Sequence, residues 1–379
     1  MKIAVNTRLL LKDKLEGIGW FTLECLKRIT QQHQEHEFIF IFDRDYSDEF
    51  IFASNITPVV IGPQARHPFL YHIWFNYSVP KILKKHDVDL FLSPDGIIPL
   101  KPKVKTLAVI HDLNFEYYPK DIPYFHRNFY KEYFPKFAKI AHRIATVSEY
   151  SKKDIENLYH IDTDKIDVVY NGANESFTPL KPNIQKLVRE SHTGGKPFFV
   201  FIGALNPRKN LVNLLRAFDI FKETDKTGTQ LLIVGEKMFK TSSIFDTYDN
   251  MQFKADVIFS GRLNSSDLHR VLASALALTY VSYFEGFGIP IVEAFYTETP
   301  VITANITSTP EVAGDAALLV DPFSPEDIAN ALIKIATDKE LRESLIEKGN
   351  KRKEEFHWQK TADNLWNSMM KTIEKKPNK

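Results

Sequence analysis

Glu285 and Glu293 stand eight residues apart, with Gly286-Phe287-Gly288 between them, in the stretch TYVSYFEGFGIPIVEAFYTETPVITAN. Carboxylates at that spacing, interrupted by glycines, suit a ligand that carries both hydroxyls and negative charge. Glycine lets the backbone approach a ligand closely, and the first amides of a helix point free N–H groups at an anion. Pro290 fits an early helical position, so a helix begins just after Gly288 and carries Glu293 inside it. A carboxylate repels phosphate but accepts hydrogen bonds from sugar hydroxyls. The amides of residues 286–289 would then meet a diphosphate, with Glu285 toward one sugar and Glu293 toward a ribose. The competing reading is an ordinary strand-to-helix turn with two solvated glutamates. The Gly-Phe-Gly and the buried strand in front of it argue for a site.

A second constellation is Arg208-Lys209 in FFVFIGALNPRKNLVNLLRAF, after a strand and before a helix starting near Asn210. Two cations at a helix N-terminus oppose the helix dipole, and a bound diphosphate would relieve that conflict. A solvated basic pair is the alternative. Gly17-Ile18-Gly19 opens the helical stretch WFTLECLKRIT, where a flexible turn and a phosphate contact are equally good readings. His111-Asp112 follow the strand TLAVI, and Gly235-Glu236-Lys237 and Gly261-Arg262-Leu263 follow two further strands. For these the plain alternatives are a structural histidine and simple strand-ending turns.

All these residues sit just after short apolar runs, and those runs define the architecture. IAVN, FIFIF, PVVIG, DLFLS, TLAVI, IATVS and DVVYNG occupy the first half of the chain. FFVFIG, QLLIVG, DVIFSG, ALTYVS, TPVITAN and AALLVD occupy the second. Apolar runs of this length bounded by Gly, Asp, Asn or Pro read as strands buried on both faces. Amphipathic stretches between them, such as NLVNLLRAFDIF and PEDIANALIKIAT, imply βαβ units and parallel sheets. In such sheets ligands bind beyond the carboxyl ends of the strands, where the candidate residues lie. We expect an α/β fold of two doubly wound Rossmann-like domains. The first spans 1–178, a polar, proline-containing linker 179–196, and the second 197–356. A final helix within 357–379 has no strand after it and is expected to pack on either domain, with the N-terminal one a candidate.

The bulk numbers fit that size and exclude some partners. The chain's 379 residues are 44% hydrophobic and 26% charged, as in a globular protein with room for two cores. Its 49 basic and 48 acidic side chains leave a formal charge of +1, so no nucleic-acid partner is expected. Cys25, the single cysteine, excludes an internal disulfide and a cysteine-based zinc site, and reads as a core thiol. Met1-Lys2 runs directly into a strand-like segment, and no apolar run is long enough to span a bilayer. A cytoplasmic location is expected, with attachment to the inner membrane surface left open.

The segment from Glu285 to Glu293 resembles the E-x7-E signature of the retaining glycosyltransferases of family 4, which have the GT-B fold. The continuation TSTPEVAGDAALLVDPFSPEDIA is similar to that family's usual sequence after the motif, and the resemblance covers nearly the whole chain. It implies two domains facing each other across a donor cleft, a nucleotide-sugar donor, and retention at the anomeric carbon. It implies that Glu285 contacts the donor sugar and Glu293 the nucleotide ribose, with Gly286, Phe287, Gly288 and Ile289 at the donor phosphates and sugar. PRKN is similar to the family's basic phosphate-binding motif, so Arg208 and Lys209 take that role. Many members carry an arginine directly after the strand glycine, where this chain has Ala204; Arg208 is expected to supply the missing guanidinium. Gly17 and Gly19 resemble the glycine loop facing the donor phosphates, and His111 the histidine beside the donor sugar, with Asp112 orienting it. Gly235, Glu236, Gly261, Arg262 and Leu263 fall where the family holds base and ribose.

Asp-x-Asp occurs at Asp43/Asp45, Asp87/Asp89 and Asp162/Asp164, a pattern that can hold a divalent ion on a diphosphate. The first lies in a polar stretch after a strand, the second enters the strand DLFLS and the third reads as a turn. The basic residues and helix ends can balance a diphosphate, so no metal and no other cofactor is expected. YFHRNFYKEYFPKFAKIAHR (124–143) and HPFLYHIWFNYSVP (67–80) interleave aromatic with polar or basic residues. They read as lining of a core or acceptor cleft, or as a surface touching anionic lipid. The expected activity is metal-independent transfer of a hexose from a nucleotide diphosphate sugar to a glycan or lipid-linked acceptor in surface polysaccharide synthesis. The PRKN form resembles members that use GDP-mannose, ahead of a UDP-hexose. The alternatives are a nucleotide-sugar epimerase of the same architecture and a noncatalytic binding protein.

Overall fold

The structure, a computed structural model, describes residues 1–174, 176–238 and 240–374. They form two compact units, one of Met1–Gly172 with the C-terminal segment from Trp358, the other of Ala173–His357.

The first unit is built on seven strands: β1 (Lys2–Asn6), β2 (Glu37–Phe42), β3 (Ile56–Val60), β4 (Leu90–Ser93), β5 (Lys105–Val109), β6 (Arg143–Thr146) and β7 (Ile166–Val168). Their order is β3-β2-β1-β4-β5-β6-β7, parallel throughout. Pro58 is tolerated in β3 because that strand is an edge. Helices cover the sheet, and Phe91, Phe137 and Trp74 are among the largest side chains in the core beneath them. Cys25 is fully buried on the helix Gly17–Gln32, and burial pushes its thiol up, as suits a packing residue.

The second unit has six strands: β8 (Phe198–Ile202), β9 (Gln230–Val234), β10 (Val257–Gly261), β11 (Ala277–Tyr280), β12 (Val301–Ala304) and β13 (Leu318–Val320). Their order is β10-β9-β8-β11-β12-β13, again parallel. Every residue of β8, β9 and β11 is buried, which is why these strands carry no polar alternation. Both sheets are doubly wound: the order reverses between β1 and β4 in one and between β8 and β11 in the other. A ligand crevice forms at such a reversal, because the loops leaving the two neighbouring strands diverge.

The stretch 179–196, expected as a linker, is instead largely the helix Pro182–Thr193 of the second unit. Its apparent breakers are helix signals. Pro182 occupies the first turn, where no amide partner is needed, and Gly194 ends the helix in a left-handed conformation at φ +60°. The chain enters the second unit earlier, between Gly172 and Ala173.

The final helix, Trp358–Glu374, lies in the first unit. The Trp366 ring stacks on His33 at 3.7 Å, and Ser368 and Lys371 donate to Asp167 at 2.7 and 3.2 Å. Asp167 also takes a two-pronged bond from Arg143, which ties this helix to the edge of the first sheet.

Candidate active site

The loops leaving β8 and β11 bring three candidate side chains into one cluster. After β8 the chain makes a single tight turn, Pro207–Lys209, and Asn210 adopts φ +59° before the helix Leu211–Thr224. Asparagine tolerates that left-handed conformation. Its side-chain amide donates to the carbonyls of Val281 (2.9 Å) and Pro322 (2.6 Å), fixing the β8 loop against the ends of β11 and β13. Arg208 Nη1 donates to Glu285 Oε2 at 2.6 Å, and Lys209 Nζ donates to Glu285 Oε1 at 2.7 Å. Lys209 Nζ also donates to the Tyr280 hydroxyl at 2.6 Å. The lysine stem needs Gly203, since a side chain there would start 3.3 Å from Lys209 Cε.

Glu285 is buried, which by itself would raise its carboxyl. The charges of Arg208 and Lys209 and the bond from Lys209 overcome that and hold it at about 2. It is therefore held as an anion between two cations. Its backbone is equally fixed: the Ser308 hydroxyl donates to the carbonyls of Glu285 and Phe287 at 2.9 and 3.3 Å, and Arg208 Nη1 to that of Phe284 at 3.0 Å. Gly288, at φ +102°, ends this loop and begins the helix Ile289–Tyr296.

Glu293, on that helix, has the opposite environment. Burial pushes its carboxyl up to about 7, and no described residue is hydrogen-bonded or ion-paired to it. A carboxyl near its midpoint at neutral pH can either accept or donate a hydrogen bond.

The ends of β8, β9 and β10 are knitted together at the same edge. Gly235 N–H donates to the Gly261 carbonyl at 2.9 Å, and Leu205 N–H to the Glu236 carbonyl at 2.8 Å. Gly235 is obligatory, because a Cβ there would fall 1.9 Å from the Gly203 oxygen. Glu236 and Arg262 are exposed on this edge, and Leu263 is partly exposed.

In the first unit, the His111 ring lies edge-on to Phe21 at 5.1 Å, with Nε2 2.8 Å from the Pro94 carbonyl oxygen. Burial lowers the imidazole's pKa, so the ring is neutral and Nε2 carries the proton it donates to Pro94. Asp112 does not hydrogen-bond to this ring; its carboxylate accepts the Asn114 amide at 3.0 Å and caps the next turn. Gly17 and Gly19 also part company. Gly17 has open space around it, whereas a side chain at Gly19 would meet Leu15 at 3.0 Å and the Leu9 carbonyl at 3.1 Å. Gly19 thus has a packing reason of its own.

Two features are not marked by the sequence. Arg8, just after β1, is buried with Nε 2.6 Å from Asp95 Oδ2 and its guanidinium over the Tyr71 ring at 4.8 Å. It follows a strand, so the rule that found the other residues would have reached it. Tyr280 was counted only as strand. SEYSK, beginning at Ser148, resembles a stretch of the family but suggests no chemistry in sequence. Here it is a helix cap, with Ser148 Oγ accepting the Ser151 amide at 3.0 Å and Ser151 Oγ donating to the His111 carbonyl at 3.1 Å.

Acidic residues of the three Asp-x-Asp pairs are occupied elsewhere. Asp43 takes a two-pronged bond from Arg44 and the Ala65 amide, Asp89 accepts the Lys2 amide, and Asp162 caps a turn at Asp164. The aromatic-basic segment forms the helix Tyr124–Ile140. Phe129, Phe134 and Phe137 enter the core, while Tyr124 and Phe125 remain exposed. No helix of the described residues is long and apolar enough to cross a membrane.

With this geometry in hand, the similarities to known proteins can be placed on it. The family described as Glycosyltransferase Family 4 matches residues 15–177, and that described as Glycosyl transferases group 1 matches residues 184–352. The sequence is 24% identical over 375 residues to the O-antigen chain mannosyltransferase B of Escherichia coli, covering 95% of this chain and 97% of that protein. It is 26% identical to the O-antigen chain mannosyltransferase RfbU of Salmonella typhimurium over 77% of this chain and 78% of that one. In three dimensions it is similar to Anabaena HepE in complex with UDP and glucose. That match has TM-score 0.76 and 15% identity and covers 98% and 99% of the two chains. It is also similar to WaaG, a glycosyltransferase of lipopolysaccharide biosynthesis, with TM-score 0.75, 16% identity and 97% and 99% coverage.

Proposed function

Starting from a chain that belongs to glycosyltransferase family 4 and has the two-sheet GT-B fold, we propose a retaining, metal-independent mannosyltransferase. Its donor is GDP-mannose, ahead of a UDP-hexose, and its acceptor a hydroxyl of a surface polysaccharide or of its lipid-linked precursor. The mannosyl assignment is supported by the two O-antigen mannosyltransferases to which the chain is similar over most of its length.

The observation that carries the reading is the Arg208–Glu285–Lys209 cluster beside the Gly286–Gly288 loop. Two cations converge there next to the start of a helix, and cations and helix N-terminal amides are the groups that suit a diphosphate. In the proposed step the bond from the anomeric carbon to the diphosphate oxygen breaks while the acceptor oxygen attacks the same face. The acceptor proton passes to the departing phosphate oxygen. Arg208, Lys209 and the amides of 286–289 stabilise the growing negative charge, so no protein base is required. Glu285, held ionised, serves the donor sugar as a hydrogen-bond acceptor, and Glu293 serves the ribose. Gly235, Glu236, Gly261, Arg262 and Leu263 are assigned to the nucleotide; His111, Gly17 and Gly19 keep the donor-side roles that the family resemblance implies. Exposed Tyr124, Phe125 and Phe69, with Arg127 5.0 Å over the Tyr124 ring, support peripheral contact with the inner membrane face.

A thermal-shift panel of GDP, UDP, ADP and dTDP, run without metal and again with EDTA, tests this reading. Ligands that bind the folded state raise the melting temperature. A shift from GDP alone that survives EDTA is the expected result. Silence from all four nucleotides in a folded protein would sink the enzyme reading.

A further inference from the structure

Tyr280 is the last residue of β11 and is almost fully buried beneath the cluster. Its hydroxyl accepts from Lys209 Nζ at 2.6 Å, and the same ammonium donates to Glu285 Oε1 at 2.7 Å. The Lys209 ammonium also lies 4.6 Å from the centre of the Tyr280 ring. On its other side the ring bounds the glycine loop: a side chain at Gly288 would start 3.4 Å from Tyr280 Cε1. One side chain thus touches both elements assigned to the diphosphate, the β8-loop lysine and the β11-loop glycines.

We propose that Tyr280 is a positioning residue, which sets Lys209 against Glu285 and against the Gly286–Gly288 loop so that the ammonium is aimed at the donor diphosphate. The proposal rests on the transferase reading above. A lysine stem is flexible, and its ammonium is attracted to Glu285, whose carboxylate could draw it away from a ligand. The phenol prevents that by holding a second proton of the ammonium, while its ring stops the stem from rotating. Burial and the Glu285 charge push the phenol's pKa well up, so it remains an O–H whose lone pair accepts from Lys209.

The test is a double-mutant cycle on Tyr280→Phe and Lys209→Met. Its readouts are GDP and UDP dissociation constants by calorimetry and the rate of nucleotide release from GDP-mannose. Lys209→Met keeps the buried stem and is expected to lower kcat/KM about hundredfold. Tyr280→Phe keeps the ring against Gly288 and loses one charge-assisted bond, for a loss of about tenfold, mostly in kcat. The double variant should be no worse than Lys209→Met alone, because a residue that acts through the lysine has nothing left to act on. A further tenfold loss in the Lys209→Met background would overturn the proposal, as would full activity in Tyr280→Phe. Full activity and unchanged nucleotide affinity in Lys209→Met would instead remove the transferase reading of the cluster, so the two failures are distinct. If Tyr280→Phe does not fold, 3-fluorotyrosine at position 280 preserves the shape and weakens the oxygen as an acceptor. The same cycle then reads a smaller loss, present only when Lys209 is.

Discussion

Where strand order reverses, each sheet carries a buried contact of 2.6 Å between an arginine and a carboxylate, but the two contacts differ in stoichiometry. Beside β1 and β4, Arg8 faces Asp95 one to one. The other Asp95 oxygen accepts from Ser93 Oγ and the Ile97 amide, and Arg8 Nη1 donates to the Ala65 carbonyl. That group is closed on itself and neutral. Beside β8 and β11, Glu285 is shared by two cations of one loop, Arg208 and Lys209. Burial and ion pairing are common to both places, so neither marks a site. What sets the second place apart is that two cations from one loop share a carboxylate beside a glycine loop and a helix N-terminus, groups that suit a diphosphate.

Paired substitutions put the largest strain on this comparison. Arg8→Met leaves Asp95 buried without its cation and is expected to remove about 3–5 kcal/mol of stability. Asp95→Asn in the same chain should recover part of it, since no uncompensated charge then remains. Lys209→Met leaves Glu285 paired with Arg208, so its melting temperature should move little while its activity collapses. Denaturant unfolding and transferase rates on the same preparations separate the two patterns. If Arg8→Met proves as stable as wild type but inactive, the contrast fails and Arg8 is itself a ligand contact.

A smaller effect comes from the two glutamates of one segment, whose carboxyls are shifted in opposite senses. Glu285 sits at about 2, below its ordinary value, so its stabilisation is complete above roughly pH 4.5 and is lost as pH falls toward 2. Glu293 sits at about 7, so between roughly pH 4.5 and 7 the folded state binds more protons than the unfolded one. Stability is therefore lost as pH rises through that window. Glu293→Gln should flatten the upper limb and gain on the order of 1–2 kcal/mol at pH 8, after allowance for solvent screening. Melts of both proteins from acid to mild alkali check it; an unchanged slope would mean that Glu293 is solvated like an ordinary surface carboxylate.

The parts of the fold that could be read from the residues are those set by local burial. FFVFIG and QLLIVG admit no strand face turned to water, and the helix repeats between them leave little choice but parallel βαβ units. The linker was misread because Pro182 and Gly194 carry the same local signal whether they stop a helix or start and end one. Only the packing of the intervening residues decides between those cases. Glu285, Arg208 and Lys209 were visible because glycines and strand ends mark them. Their convergence was not, since 76 residues separate Lys209 from its carboxylate and only the β8–β11 pairing brings them together. Tyr280 and Ser151 were invisible for a related reason: each acts through a partner far away in sequence, and the residue type alone fits a strand or a cap.

Ser151 supplies the smallest effect and the sharpest question about the first sheet. Ser151→Ala removes the donor to the His111 carbonyl and a partner of Ser148, a loss of about 1 kcal/mol in stability. The His111 ring keeps its bond to Pro94, so the ring should stay neutral while its backbone shifts. If the carboxyl edge of the first sheet is only architecture, like the closed Arg8–Asp95 pair, the melting temperature falls slightly and kcat is untouched at assay temperature. If His111 works on the donor sugar, kcat drops about threefold to tenfold with nucleotide affinity unchanged, because the residues proposed for the nucleotide belong to the second unit. The second result is expected. It would mean that the first sheet contributes through a neutral ring held in place by its backbone, which no count of buried ion pairs would reveal.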